Sequence, residues 1–179
     1  MFGMRGAIET YPENQRKKIL SMDVNILIAG LGNILMKDDG IGVYLCRRLQ
    51  EKRIKNIEIQ EIGVEDWRLL SIASGYRDIV IVDAVEMGLL PGECAVWEDV
   101  DFTDYPEHSL HNGRFISEFC FIRRLKQSRG SIFLFGIQPE AIGWGIGLGQ
   151  TLDRNFDLIA ERLIRFIDVL VKGEIYALH

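Results

Sequence analysis

The sequence predicts an α/β fold built around a mostly parallel sheet. Short apolar runs alternate along the chain with stretches whose apolar residues recur every three or four positions, which is typical of strands that alternate with covering helices. Residues 79–82 are apolar and β-branched throughout, as expected for a strand buried on both faces. Residues 152–170 carry a continuous apolar stripe that predicts an amphipathic helix.

Five strands and four helices follow from these patterns. The alternation in 57–62 indicates an edge or half-exposed strand. The turn signal Pro91-Gly92-Glu93 makes 94–98 a candidate antiparallel strand. The predicted strands are 25–29, 57–62, 79–82, 94–98 and 131–136, and the predicted helices are 41–52, 66–75, 112–127 and 152–170.

The bulk composition indicates one ordinary globular domain. The chain has 179 residues, and we interpret residues 1–22 as an N-terminal arm that is disordered or loosely docked and 23–179 as a single α/β domain. A net charge of −5 argues against binding to nucleic acid or to anionic membranes. No stretch of the sequence is as long and apolar as a membrane-spanning helix, which needs about 20 consecutive apolar residues. Three widely spaced cysteines favour buried thiols in a reducing cytoplasm over disulfides or metal ligands.

A glycine-rich segment at 30–42 is the strongest candidate site. It follows the first predicted strand directly and carries two adjacent carboxylates, Asp38 and Asp39. In an open α/β sheet, ligands bind at the carboxyl ends of the strands. We expect one of the two aspartates to cap the following helix. The second is surplus to capping, which favours a functional role.

Further polar residues follow other predicted strands. Asp83 comes directly after 79–82, where it either caps a turn or belongs to a site, and Gln138 follows 131–136. Of the three histidines, His108 and His111 stand at the start of a predicted helix. Two carboxylates and an imidazole would make a reasonable divalent metal site. The sequence lacks the zinc-peptidase, nucleophile-elbow, Walker and complete dinucleotide-binding motifs.

Four blocks of the sequence resemble the hydrogenase maturation proteases. The first is Gly-Asn-x-Leu-x-x-Asp-Asp-Gly-x-Gly at 32–42, and the second is Asp-Ala-x-x-x-Gly-x-x-Pro-Gly at 83–92. The third is Ser-Leu-His-Asn at 109–112, and the fourth is Gly-Ile-Gln-Pro-Glu at 136–140. The four blocks occur in the family's order. One departure is Glu61-Ile62-Gly63, where many members carry an acidic residue followed by two glycines.

The resemblance implies a fold, an activity and a set of site residues. The fold is a three-layer α/β/α sandwich around a twisted, mostly parallel five-strand sheet, of the phosphorylase/hydrolase-like kind. The activity is that of an endopeptidase that removes the C-terminal extension of a nickel-iron hydrogenase large-subunit precursor after nickel insertion. The resemblance implies Asp39, Asp83 and His111 as metal ligands. We further predict that Asp38 and Asp39 take part in catalysis and that Gly32, Asn33 and Gln138 bind substrate.

The family also implies how the metal and the partner are used. Nickel arrives with the substrate, so no permanent cofactor is expected. His111 must be neutral to coordinate nickel, so activity should fall below a pH of roughly 6.5. The partner is the large-subunit precursor, and we expect a cytoplasmic monomer with no membrane insertion.

Two other functions remain open from the sequence. A peptidyl-tRNA hydrolase also begins with a strand followed by Gly-Leu-Gly-Asn, but that family continues with Pro-Gly where this chain has Ile34-Leu35. The acidic balance also disfavours a tRNA substrate. A non-catalytic nickel-sensing module that binds the precursor would need the same ligands, and only cleavage by the purified protein separates it from a protease.

Overall fold

The computed structural model contains one five-stranded sheet. It describes residues 26–99, except Arg53, Lys55, Glu65 and Ser74, and residues 130–172. Neighbouring strands lie in the order β2-β1-β3-β5-β4. All pairings are parallel except that of β4 with β5. The strands are β1 (Ile26–Leu31), β2 (Ile57–Gly63), β3 (Asp78–Ala84), β4 (Cys94–Glu98) and β5 (Ile132–Ile137).

Helices cover both faces of the sheet. Helices α1 (Ile41–Gln50) and α3 (Gln150–Lys172) lie in one apolar cluster with Val80, Phe133 and other alternate residues of the central strands. Helix α2 (Asp66–Ala73) belongs to a second cluster on the opposite face. Successive strand residues point to opposite faces, so each central strand contributes to both clusters. The predicted three-layer sandwich is confirmed.

The sequence located the elements well and missed several ends. The stripe predicted for the last helix is buried, with Leu152, Ile159, Leu163, Ile167 and Leu170 all inaccessible. The predicted antiparallel strand at 94–98 and the edge position of β2 are confirmed. Helix α1 ends two residues early, because the chain turns at Glu51 and Lys52. The predicted helix 112–127, the arm 1–22, Cys120 and both internal histidines lie outside the described residues.

The described cysteines are reduced and shielded. Cys46 is a fully buried residue of α1, and burial raises the pKa of its thiol to about 12. Cys94 is half-buried, and burial again raises its pKa. Thiols held in the neutral form are poor nucleophiles, which agrees with the predicted packing role for these two residues. Within the described ranges, no helix is long and apolar enough to cross a bilayer.

Candidate active site

The carboxyl ends of β1 and β3 lie side by side and carry the acidic turn. Gly30 pairs with Val82 in the parallel register, and the 3₁₀ turn Asp38–Gly40 leads from this edge into α1. Gly42 permits the close packing, because a side chain there would collide with the carbonyl oxygens of Val82 and Leu31. Both aspartates therefore lie at the strand-end edge, as the sequence predicted.

Asp38 is a buried acceptor of backbone hydrogen bonds. Its side chain is fully inaccessible. Oδ2 accepts the N–H groups of Glu140 and Ala141, each at 2.9 Å, and Oδ1 accepts that of Gly149. The carboxylate thus joins both ends of the loop between β5 and α3. This geometry favours a structural role for Asp38, whereas its assignment to catalysis stays a prediction.

Asp39 is the more accessible aspartate. It is half-buried, and its Oδ2 accepts the backbone N–H of Asn33 at 2.6 Å. The Asn33 side chain in turn accepts the N–H of Leu35, so it stabilises the turn that holds Asp39. Gly32 has φ +105°, and a side chain there would collide with the Asp39 carbonyl oxygen. Asn33 thus holds the Asp39 carboxylate by a hydrogen bond, and Gly32 leaves room for the Asp39 backbone. The predicted role of both residues in substrate binding remains untested.

The expected capping of α1 by one aspartate is wrong. The N-cap position of α1 is Gly40, which has no side-chain hydrogen bond. The Asp38 carboxylate is directed to the loop after β5 and that of Asp39 to Asn33. The reason is tertiary, because the loop after β5 approaches closely enough to offer N–H donors that the sequence pattern around residue 38 does not reveal.

Asp83 lies on the neighbouring strand at the same edge. It is the penultimate residue of β3, rather than the first residue after the strand as predicted, and pairs with Gly136. It is half-buried, and its Oδ1 accepts the N–H of Ala84 at 2.8 Å. The fold thus brings Asp39 and Asp83 to one edge. His111 lies outside the described residues, in which no group of three potential metal ligands occurs.

Gln138 anchors the loop that follows β3. The side chain is 4% exposed. Its Oε1 accepts the N–H groups of Met87 and Leu89, and its Nε2 donates to Glu86 and to the Pro139 carbonyl. An amide has two acceptor and two donor positions, and all four are used. The geometry favours loop positioning, and the predicted role of Gln138 in binding substrate remains a prediction.

A cleft with both polar and apolar lining residues opens beside the acidic turn. It has a volume of about 300 Å³ and is lined in part by Gly32, Asn33, Arg47, Glu61 and Arg68. Arg47 donates to the Glu61 carboxylate at 2.9 Å, and Arg68 donates to the Glu61 carbonyl. Glu61, the residue at which the sequence departs from the family pattern, therefore lies next to the segment that holds Asp39.

Sequence reasoning missed two features of the loop after β5. Glu140 caps α3, since its carboxylate accepts the Thr151 N–H at 2.8 Å. Glu140 lies well before the first turn of this helix, so no local sequence signal indicates the cap. Trp144 and Ile146 are more than 80% exposed. The sequence feature that could have indicated this exposure is the alternation with glycine at 143, 145 and 147. Because glycine has no side chain, Trp144 and Ile146 have no adjacent side chains in the chain to pack against.

Comparisons with known proteins identify the family. A family model described as hydrogenase maturation protease matches residues 43–166, which is most of the chain. The chain belongs to the hydrogenase maturation protease family. The matched segment contains Asp83, His111 and Gln138, while the acidic turn with Asp38 and Asp39 lies just before it.

Individual maturation proteases show the same relationship. The chain is 27% identical to the hydrogenase 3 maturation protease of Escherichia coli K12 over 135 residues, covering 74% of this chain and 85% of that protein. It is 27% identical to the hydrogenase expression/formation protein HupD of Rhodobacter capsulatus over 146 residues, covering 78% and 70%.

Solved structures agree with the sequence comparisons. The hydrogenase maturating endopeptidase HybD from E. coli matches with a TM-score of 0.69 at 25% identity, covering 84% of this chain and 94% of that one. The maturation protease HycI from Thermococcus kodakarensis matches with a TM-score of 0.65 at 26% identity, covering 87% and 97%. The predicted family and fold are both confirmed.

Proposed function

We propose that this protein is the endopeptidase that removes the C-terminal extension of a nickel-iron hydrogenase large-subunit precursor after nickel has been inserted. Membership of the maturation protease family supports the reaction class and the type of substrate. The observation that carries the location of the site is the juxtaposition of Asp39 and Asp83 at the carboxyl ends of neighbouring strands.

The donor atoms at this edge suit a divalent metal carried by the substrate. Asp39 uses Oδ2 for the Asn33 N–H, and no donor to Oδ1 is found among the described residues, so this oxygen can face a cation. Asp83 adds a second carboxylate, and His111 would add an imidazole nitrogen. Carboxylate and imidazole donors fit nickel. An incomplete set of three ligands leaves coordination positions for groups of the precursor, which would keep the metal.

The protein residues have separable tasks in this proposal. Nickel bound in the precursor supplies Lewis acidity beside the scissile peptide. Asp39 and Asp83 orient the precursor through that metal. The Oδ1 of Asp39 has no donor among the described residues, so it can either contact that metal or accept a proton from the attacking water, but it cannot do both at once. Asp38 is the poorer candidate for either task, because both of its oxygens are occupied by backbone donors. Asp38 then acts by holding the loop after β5 in place.

A mass-spectrometric cleavage assay tests this function. Purified protein is mixed with a large-subunit precursor, either loaded with nickel or free of metal. The variants are Asp39→Asn, Asp83→Asn and His111→Ala, and Asp168→Asn, at an exposed position on α3, is the matched control. We expect one C-terminal peptide to be released by wild type and by Asp168→Asn, only from the nickel-loaded precursor, and activity to fall by two or more orders of magnitude in the other three.

Other outcomes would each change a different part of the proposal. Cleavage that survives all three substitutions would show that the site lies elsewhere. Cleavage of the metal-free precursor would remove the dependence on nickel. Tight binding of the precursor without cleavage under every condition would favour the non-catalytic binding module.

A further inference from the structure

Exposed apolar side chains concentrate at the edge of the sheet that carries the acidic turn. Among the described residues, nine large apolar side chains are exposed, and six of them follow the carboxyl ends of the four parallel strands. The other three, Val96, Leu158 and Val171, lie elsewhere on β4 and α3. We name the six the apolar rim: Leu35 after β1, Val64 after β2, Leu89 and Leu90 after β3, and Trp144 and Ile146 after β5.

Trp144 and Ile146 are the most exposed members of the apolar rim. Their exposed fractions are 82% and 84%, although burial of such side chains is strongly favourable in water. They flank Gly145, whose N–H donates to the Leu35 carbonyl and whose carbonyl accepts the Lys37 N–H, both at 2.9 Å. Their exposure therefore occurs in a segment that is hydrogen-bonded to the loop after β1.

The loop that presents them is held at both ends. Asp38 accepts N–H groups at residues 140, 141 and 149, and Glu140 fixes the start of α3. A buried carboxylate destabilises the fold unless it is fully hydrogen-bonded. The buried Asp38 side chain therefore depends on the N–H groups of this loop, and the loop backbone is fixed by the same hydrogen bonds. Holding contact residues in place before binding reduces the entropy lost when a partner docks.

The loop after β3 is built in a similar way. Leu90 is 72% exposed and Leu89 43% exposed. Gln138, itself buried, accepts the N–H of Leu89 through its side chain and that of Gly92 through its carbonyl. Two separate loops at one edge thus combine exposed apolar side chains with a buried polar residue that fixes the backbone.

We propose that the apolar rim is the docking surface for the folded body of the protein substrate, with Trp144 and Ile146 as its main anchors. The inference rests on the proposed function, which supplies a protein partner at this edge. The hydrogen-bonded connection of the rim to the turn that carries Asp39 places it around the candidate site. Four strands extend the rim across about 14 Å of sheet, which fits a protein surface better than one extended peptide segment.

The chemistry of the rim defines the matching surface on the partner. Large apolar and aromatic residues at the centre, with polar groups around them, are typical of protein interfaces, and aromatic anchors dominate their affinity. The partner surface should therefore be apolar around the metal that it presents. Contacts of this kind would select the folded, metal-loaded precursor rather than any peptide that contains the cleavage sequence.

The test compares rim variants with matched variants outside the rim. Trp144→Ser, Ile146→Ser and the double variant remove rim contacts, and Leu158→Ser and Val171→Ser make similar changes on α3. Affinity for the nickel-loaded precursor is measured by calorimetry, cleavage by steady-state kinetics, folding by thermal unfolding, and oligomeric state by sedimentation. We expect each rim substitution to raise Kd and KM about tenfold, kcat to change less than KM, and the α3 variants to match wild type.

Each outcome separates the docking surface from the reaction. Wild-type Kd and KM in the folded double variant would overturn the docking proposal, while cleavage by wild type would still support the proposed function. A wild type that binds without cutting overturns the proposed function, and weaker binding by the rim variants would still support docking. Wild-type dimers that Trp144→Ser converts to monomers would make the rim a contact between copies of this chain and overturn the proposal.

Discussion

Asp38 and Asp39 are adjacent in the chain, and the fold uses their carboxylates differently. The Asp38 side chain is inaccessible and receives backbone N–H groups from a loop about a hundred residues away. The Asp39 side chain is half-buried and receives one N–H from within its own turn. A residue whose acceptors are all occupied inside the protein stabilises the fold, while one with an available oxygen can meet a substrate.

The first prediction separates these two roles. Asp38→Asn should lower the free energy of unfolding by about 2 kcal/mol or more, because an amide leaves at least one buried N–H group facing another donor. Asp39→Asn should cost less than about 1 kcal/mol while removing most of the cleavage activity. Urea denaturation measures the first effect and the cleavage assay the second. Equal loss of stability in both variants would contradict this assignment.

At the scale of elements, the loop between β5 and α3 connects the site to the core. Two carboxylates accept hydrogen bonds from backbone N–H groups around the first turn of α3. One belongs to Asp38 of the acidic turn, and the other belongs to Glu140 of the loop itself. Free N–H groups at a helix start need such acceptors, and negative charge is also favourable there. The start of α3 and the shape of the rim therefore depend on the same few hydrogen bonds.

The second prediction concerns Glu140 and pH. Hydrogen bonds from the backbone N–H and the side chain of Thr151 lower the pKa of Glu140 below its ordinary value of 4.5. The pKa of Glu140 is lower in the folded state than in the unfolded state. The charged carboxylate therefore stabilises the fold fully when the pH is above the unfolded-state pKa, and this stabilisation is lost as the pH falls through the folded-state pKa. Glu140→Gln should thus melt slightly below wild type at pH 7.

The size of this difference should itself depend on pH. Glu140 is fully exposed to solvent, so screening keeps its contribution small. Thermal unfolding of both proteins from pH 7 down to pH 3 should show the two melting temperatures converge at the acid end. If the difference in melting temperature instead stays constant from pH 7 to pH 3, the charge of Glu140 does not contribute to stability and only the shape of its side chain does.

At the scale of the whole molecule, the sheet joins two apolar clusters into one cooperative unit. Alternate residues of β1, β3 and β5 contribute to the cluster under α1 and α3 and to the cluster under α2. Loss of either cluster would expose the same central strands. We therefore expect the described domain to unfold in a single transition, as small single domains usually do.

The third prediction tests this coupling. Leu163 of α3 is inaccessible, and Leu158 of the same helix is 49% exposed. Leu163→Ala should lower the free energy of unfolding by about 3 kcal/mol through lost contacts and a cavity, and Leu158→Ala by less than about 1 kcal/mol. Denaturation followed by circular dichroism and by tryptophan fluorescence should give coincident curves, and separate transitions would show that the two clusters unfold independently.

Much of the fold could be predicted from the sequence because its signals are local. The β-branched run at 79–82 and the apolar stripe of α3 depend on neighbours within a few residues, and the structure confirms both. The placement of Asp39 and Asp83 at one edge also followed from a general property, since parallel strands end on the same side. The contribution of His111 to the site remains a prediction.

The sequence by itself determined the fold class, the order and approximate position of the elements that the structure describes, the family, and the edge of the sheet where the acidic residues gather. The tertiary structure alone decided which aspartate is buried, that Gln138 holds a loop, and that Trp144 and Ile146 stand exposed. The physical reason is distance along the chain. The hydrogen bonds of Asp38 and Gln138 span about 50 to 110 residues, so their partners exist only once the strands have paired.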